Sequence, residues 1–295
     1  MVPLLFLASL VNDVRGALAQ RDFVSAERQV RAYKTSAGVT PELAAAVSWI
    51  ARSELDARNY TQADAYATET RKLCDTLLRS RKVDAEPLLP TALGASIEVH
   101  ALTVAAGGGR SEAIAFLDDQ SKRFAATSVI ERIHKNINLL SLEGKPAPEL
   151  SVAEWLGPKP RTLASLRGHP VLLFFWAHWC ADCKAEEPLL ADLERVYARK
   201  GLVIIGPTRR YGYVANGDDA SPVVEKEYIE KIRQQFYAGL IDVAVPVSAA
   251  NFKAYGASTT PTIVLIDGAG IVRLYHPGAL QEADLATRIQ AVLQK

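Results

Sequence analysis

The run Val171 to Phe175, followed at once by Trp176-Ala177-His178-Trp179-Cys180-Ala181-Asp182-Cys183-Lys184, constrains this chain more than any other feature. Five consecutive apolar residues read as a buried strand, and Ala181 to Lys200 reads as helix. Two cysteines three apart therefore sit where a strand gives way to a helix. A helix that starts near Cys180 points its unpaired N–H groups and positive dipole end at that sulfur, which favours the thiolate. One turn on, Cys183 is spaced to close onto Cys180 and release whatever was bonded to it through a mixed disulfide. The context makes the pair a redox motif. Its rival readings are a structural zinc site and an inert pair. A haem-attachment motif would place His after the second cysteine, where Lys184 stands. Zinc needs four ligands, and only Cys74 and scattered histidines remain. Neither a metal nor any cofactor beyond the Cys180–Cys183 disulfide is expected.

With 295 residues the chain is long enough for two domains with separate cores. Lys and Arg number 34 against 33 Asp and Glu, for a net charge of +1, and no basic cluster is longer than the short runs Arg79 to Lys82 and Arg209-Arg210. That balance, without a long basic cluster, argues against a nucleic-acid partner. No apolar stretch is read as approaching the ~18 residues of a membrane span. At the N-terminus, Val2 to Val11 resembles a short signal core and Ala17-Leu18-Ala19 a small-residue cleavage site, without the basic residues that precede such a core. Yet Leu10, Val11, Val14 and Leu18 recur at helical spacing, with Asn12, Asp13 and Arg15 between them. A signal ending near Ala8 fits both observations.

Residues 1–141 read as successive helices. Thr40-Pro41-Glu42 begins one with a capping hydroxyl and a first-turn proline, and Gly107-Gly108-Gly109 stops another. Asp22-Phe23-Val24-Ser25-Ala26 and Asn59-Tyr60-Thr61-Gln62-Ala63 each place an aromatic three residues before an alanine, with a weaker copy around Arg110-Ser111-Glu112-Ala113. In pattern these units resemble tetratricopeptide-type helix pairs, although most consensus positions of that family are unmatched; an irregular bundle is the alternative. Ala63, Ala67, Thr70, Cys74 and Leu77 space as one buried helix face, which makes Cys74 a small core residue.

Residues 142–295 change character, opening with a proline-rich stretch to Pro160. Strands are read at Val171 to Phe175, Leu202 to Gly206, Val243 to Val247, Thr262 to Ile266 and Ile271 to Tyr275. Helices are read at Ala181 to Lys200, Val223 to Tyr237, Ala249 to Tyr255 and from Gln281 onward. Such alternation builds an α/β sheet with helices on both faces. The segment between Pro207 and Pro222 is longer than a strand-to-helix connection needs, and it leaves a strand expected to run parallel to the cysteine-bearing one. It therefore emerges at the same sheet edge, where Arg209, Arg210, Tyr211 and Tyr213 are candidates for a substrate or partner surface, against a self-packed loop as the plain alternative.

Taken together, Gly144-Lys145-Pro146-Ala147-Pro148, Leu163 to Gly168, Phe175 to Cys183 and Thr260-Pro261-Thr262 resemble, in order, the lead-in segment, pre-strand turn, active site and cis-proline of the thioredoxin superfamily. Within it they are most similar to the TlpA/ResA-like thiol-disulfide oxidoreductases. The resemblance covers about half the chain. It implies a thioredoxin-like fold, a mixed central sheet with flanking helices, behind the all-helical region. It also implies exchange of electrons with protein disulfides, in the reductase direction, with an upstream electron-donor protein. Cys180 would attack, Cys183 resolve, and Trp179, Thr260 and the cis-Pro261 receive the substrate chain. Pro188 matches a helix proline that kinks the active-site helix. Glu186 matches the glutamate that exchanges a proton with the second cysteine, against the alternative of a solvated first-turn acid. A periplasmic or otherwise exported location is expected, with a cytoplasmic one as the alternative, and the helical region is a candidate to hold a protein partner.

Two departures stand out. Phe174 occupies the position of thioredoxin's buried aspartate, and Asp182 between the cysteines opposes thiolate formation, whereas His178, if protonated, would assist it. Two rival functions are a peroxide reductase, disfavoured because Ala177 stands where that class has Thr or Ser, and a helical interaction scaffold with a vestigial redox module, disfavoured by the intact cysteine pair.

Overall fold

The computed structural model describes residues 9–294. The chain divides into two compact units, ending at Asn136 and beginning at Ile137, a few residues before the expected boundary at 141/142.

The first unit is all-helical: α1 (Leu10–Ala19), α2 (Phe23–Ala37), α3 (Pro41–Asp56), α4 (Tyr60–Leu77), α5 (Leu89–Ala106) and α6 (Arg110–Arg123), with α7 (Ile130–Ser141) crossing the division. Local chemistry sets the helix ends. Thr40 Oγ1 accepts the N–H of Leu43 at 3.1 Å with Pro41 in the first turn, and Asp22 accepts that of Ser25 at 2.9 Å. Beyond α5, Gly108 takes φ +94°, which favours glycine. Ala26, Ala63 and Ala113, each three residues into its helix, are fully buried, as are Thr70 and Cys74 of the α4 stripe. The described part of the N-terminal apolar stretch belongs to α1, which buries Leu10 and Val14; Val2 to Ala8 lie outside the described residues.

The reading that no apolar stretch approaches membrane-spanning length needs correction. α5 has 18 residues at a mean hydropathy of 1.2, long and apolar enough by composition to cross a membrane. It was missed because Pro90, Gly94, Ser96 and His100 interrupt the run. More than half of it, including Leu93, Ile97 and Val99, is buried within the helical unit, as in a core helix.

The second unit is built on a four-stranded mixed sheet in the order β3-β2-β5-β6, from β2 (Val171–Phe175), β3 (Val203–Ile205), β5 (Thr262–Ile266) and β6 (Val272–Pro277). A small ladder, β1 (Trp155–Leu156) against β4 (Val245–Pro246), continues it through parallel bridges Ile205 to Ala244 and Thr208 to Val247. The lead-in segment joins the far edge, with Gly144 N–H donating to Val272 O at 2.8 Å. β2 runs parallel to β3 and antiparallel to β5. All five residues of β2 are buried: Leu172 and Phe174 enter one core cluster, and Val171, Leu173 and Phe175 enter the other. Cover on both faces is why this strand reads as an unbroken apolar run.

Helices α8 (Ala181–Ala185) and α9 (Glu187–Tyr197) replace the single helix read over 181–200. The break falls at Glu186, with Pro188 in the first turn of α9, because proline supplies no N–H for the Lys184 carbonyl. Downstream lie α10 (Pro222–Phe236), α11 (Ala249–Tyr255) and α12 (Glu282–Leu293).

Candidate active site

The site lies where β2 ends and α8 begins. Trp176 is anchored at this point by three hydrogen bonds to the chain that leaves β3. Its N–H donates to Pro207 O at 3.1 Å, its indole Nε1 donates to Gly206 O at 2.9 Å, and its carbonyl accepts from Thr208 Oγ1 at 2.9 Å. The cysteine turn and the loop after β3 are thereby held together.

Cys180 and Cys183 form a disulfide, with Cα atoms 5.3 Å apart. Cys180 caps α8, its Sγ accepting the N–H of Cys183 at 3.1 Å. Reduction leaves that N–H aimed at the sulfur, where it favours the charged form. The Thr260–Pro261 peptide bond is cis, and Cys180 Sγ lies 3.5 Å from the carbonyl oxygen of Thr260. The disulfide and the proline that starts the neighbouring strand β5 are thus adjacent, although 80 residues separate Cys180 from Thr260.

Around this pair exposure is uneven. Both cysteines are buried, whereas Trp179 is 48% exposed and meets Tyr211 edge-on at 5.4 Å. Arg209 stacks over Tyr211 and over Phe252, each at 4.9 Å. Of the loop residues read as candidates, Arg209, Tyr211 and Tyr213 gather beside the cysteine turn. Arg210 turns away to Glu154 and to the Pro222 carbonyl.

Glu186, at the helix break, is half-buried, and its Oε2 is buried without a hydrogen-bond partner. Burial, reinforced by Asp182, pushes its carboxyl above the ordinary value. Phe174, in place of an acid, is buried and lines a cavity of about 20 Å³ with Trp176, Leu190, Tyr237 and Leu240. His178 would assist the thiolate only in its protonated form. The ring is 1% exposed, and burial lowers its pKa despite the opposing pull of Glu225, which works against that charged form.

Glu225 is a residue that sequence reasoning missed. It is buried in the first turn of α10, 3.4 Å from His178 Nε2, and accepts the N–H groups of Tyr211 and Gly212 at 2.5 and 2.9 Å. An acid in a helix first turn is the only signal it carries, and that signal is ordinary. Among the described residues no group of three or more His, Cys, Asp or Glu side chains is placed to hold a metal.

Residues 161–293 match the family profile described as a thioredoxin-like domain. The thiol:disulfide interchange protein DsbE of Xylella fastidiosa (strain 9a5c) is 30% identical over 154 residues, covering 52% of this chain and 70% of the relative. The chain belongs to this thioredoxin-like, thiol:disulfide interchange family. DsbE of Pseudomonas fluorescens biotype C is 30% identical over 156 residues, covering 52% of this chain and 78% of that protein. The thiol-disulfide oxidoreductase ResA of Geobacillus thermodenitrificans (strain NG80-2) is 27% identical over 150 residues, covering 50% and 77%. The family profile takes in none of the helical unit.

Proposed function

We propose that this chain is a thiol-disulfide oxidoreductase that reduces protein disulfides. The Cys180 thiolate attacks one sulfur of the substrate disulfide, forming a mixed disulfide and releasing the other sulfur as a thiolate. Cys183 then attacks Cys180 Sγ, closing the Cys180–Cys183 disulfide and releasing the second substrate thiol. Two electrons pass to the substrate, and an upstream donor protein restores the dithiol. The observation that carries this reading is the position of Cys180 Sγ, which accepts a helix-start N–H and lies 3.5 Å from Thr260 O beside the cis-Pro261.

In this reading Glu186 takes the proton of Cys183, the chain at Thr260 and Pro261 pairs with the extended substrate, and Trp179, Tyr211 and Arg209 contact it. No cofactor beyond the dithiol takes part. The enzyme works in the periplasm or another exported compartment, which N-terminal sequencing of natively expressed protein checks, and the helical unit holds a protein partner.

The test is a trap. Cys183→Ser removes the resolving thiol, so mixed disulfides with substrate accumulate, and they vanish in the double variant with Cys180→Ser. No trapped species from Cys183→Ser, together with no reduction of insulin disulfides by the wild type, rejects the reading.

A further inference from the structure

The dithiol chemistry leaves one buried polar constellation without a task. The Glu225 carboxylate is 1% exposed and collects two consecutive backbone N–H groups, those of Tyr211 and Gly212. His178, equally buried, closes the other side with Nε2 at 3.4 Å. The rings of Tyr211, Tyr213 and Tyr228 stand edge-on to the imidazole at 5.4 to 5.6 Å. Burying a carboxylate costs several kcal/mol unless hydrogen bonds compensate. Here the compensation comes from the backbone of the loop itself, so the charge holds the loop against α10. The loop also crosses itself, with Ala220 N–H donating to Gly212 O at 2.9 Å and a bridge between Tyr213 and Asp219.

What His178 and Glu225 fix is a surface. His178 is two residues before Cys180, and the loop its ring packs against carries Tyr211 against the half-exposed Trp179. We propose that His178 and Glu225 are positioning residues that dock the Arg209–Tyr213 loop beside the disulfide and so set its specificity for polypeptide disulfides over small-molecule ones. A polypeptide has residues on either side of its cystine to lay across Trp179 and Tyr211; a small disulfide has none. This inference rests on the disulfide-exchange reading and adds the feature that selects the substrate class.

The test compares kcat and KM for insulin and for bis(2-hydroxyethyl) disulfide in the full chain. Glu225→Ala removes both acceptors from the loop and is expected to raise the KM for insulin about tenfold, with kcat changed by less than threefold. kcat/KM for the small disulfide falls by less than threefold. Glu225→Gln keeps one acceptor oxygen but sets its amide donor against the other loop N–H, so it restores only part of the insulin KM. Equal losses on both substrates, or an insulin KM within twofold of wild type, overturn the proposal. If Glu225→Ala does not fold, Tyr211→Ala removes the docked ring while sparing the buried pair, and the same insulin KM rise is required of it. A wild type inactive on both disulfides rejects the underlying exchange reading, whereas a wild type active on both with variants that do not discriminate rejects only the role of the pair.

Discussion

Glu186→Gln preserves the shape of the side chain at the helix break and removes its ability to take up a proton. Cys183 is fully buried, so loss of its proton depends on a nearby acceptor. Glu186 lies three residues on, with one carboxyl oxygen buried and unpartnered and its pKa raised by burial and Asp182. A raised carboxyl is better matched to a thiol proton than an ordinary one, and a positioned base contributes roughly 10²–10⁴-fold. The lower end applies because Glu186 is only half-buried and water reaches part of it. The step in which Cys183 expels the substrate therefore slows about 100-fold, or about 2.7 kcal/mol at about 1.36 kcal/mol per factor of ten. Stopped-flow fluorescence of reduced protein with insulin, reported by Trp176 and Trp179, separates the two phases. Attack by Cys180 stays within about twofold of wild type, and release slows. Stability supplies an independent sign. Because the folded pKa lies above the ordinary 4.5, the folded state binds more protons than the unfolded one in that window, and stability is lost as pH rises through it. The glutamine variant escapes that loss, so its Tm exceeds the wild-type value at neutral and alkaline pH, and the gap closes below the ordinary carboxylate pKa. An unchanged release phase together with no Tm gap refutes the assignment.

Cys74 sits in the helical core with its thiol pushed up to about 12 by burial, so it resists thiol reagents until the unit unfolds, and Cys74→Ser costs about 1–3 kcal/mol in urea melts without altering disulfide reduction. Trp176→Phe leaves the buried Gly206 carbonyl without its 2.9 Å indole donor and lowers stability by about 1–3 kcal/mol, read as a shift in the urea midpoint. Lys135→Met leaves Glu98 without its 2.8 Å partner and costs about 3 kcal/mol, moderated by Arg132 at 3.7 Å. Burial pushes the Glu98 carboxyl up, but Lys135 and Arg132 outweigh it and hold it below the usual range; its contribution is present above pH 4.5 and is lost as pH falls through the depressed folded value, which melts across that range detect.

Much of the redox half was legible because its signals are local. The unbroken apolar run of β2 reflects cover on both sheet faces, and Pro188 announces the helix break at Glu186 through its missing N–H. The parallel pairing of β2 with β3 follows from the strand-helix-strand order and puts the loop after β3 beside the cysteines. The buried stripe around Cys74 was readable by the same periodicity. α5 was less so, because proline, glycine and polar side chains break an apolar run that tertiary packing nonetheless buries.

By itself the order of residues determined that a cysteine pair caps a helix behind a buried strand, since strand period, helix start and proline chemistry all act over a few residues. Only the tertiary structure decided that His178 is an enclosed ring 3.4 Å from Glu225, where burial disfavours its charged form, and that Arg209 rather than Arg210 faces the site. Burial and charge compensation between distant segments govern those outcomes, and neither is encoded in spacing along the chain.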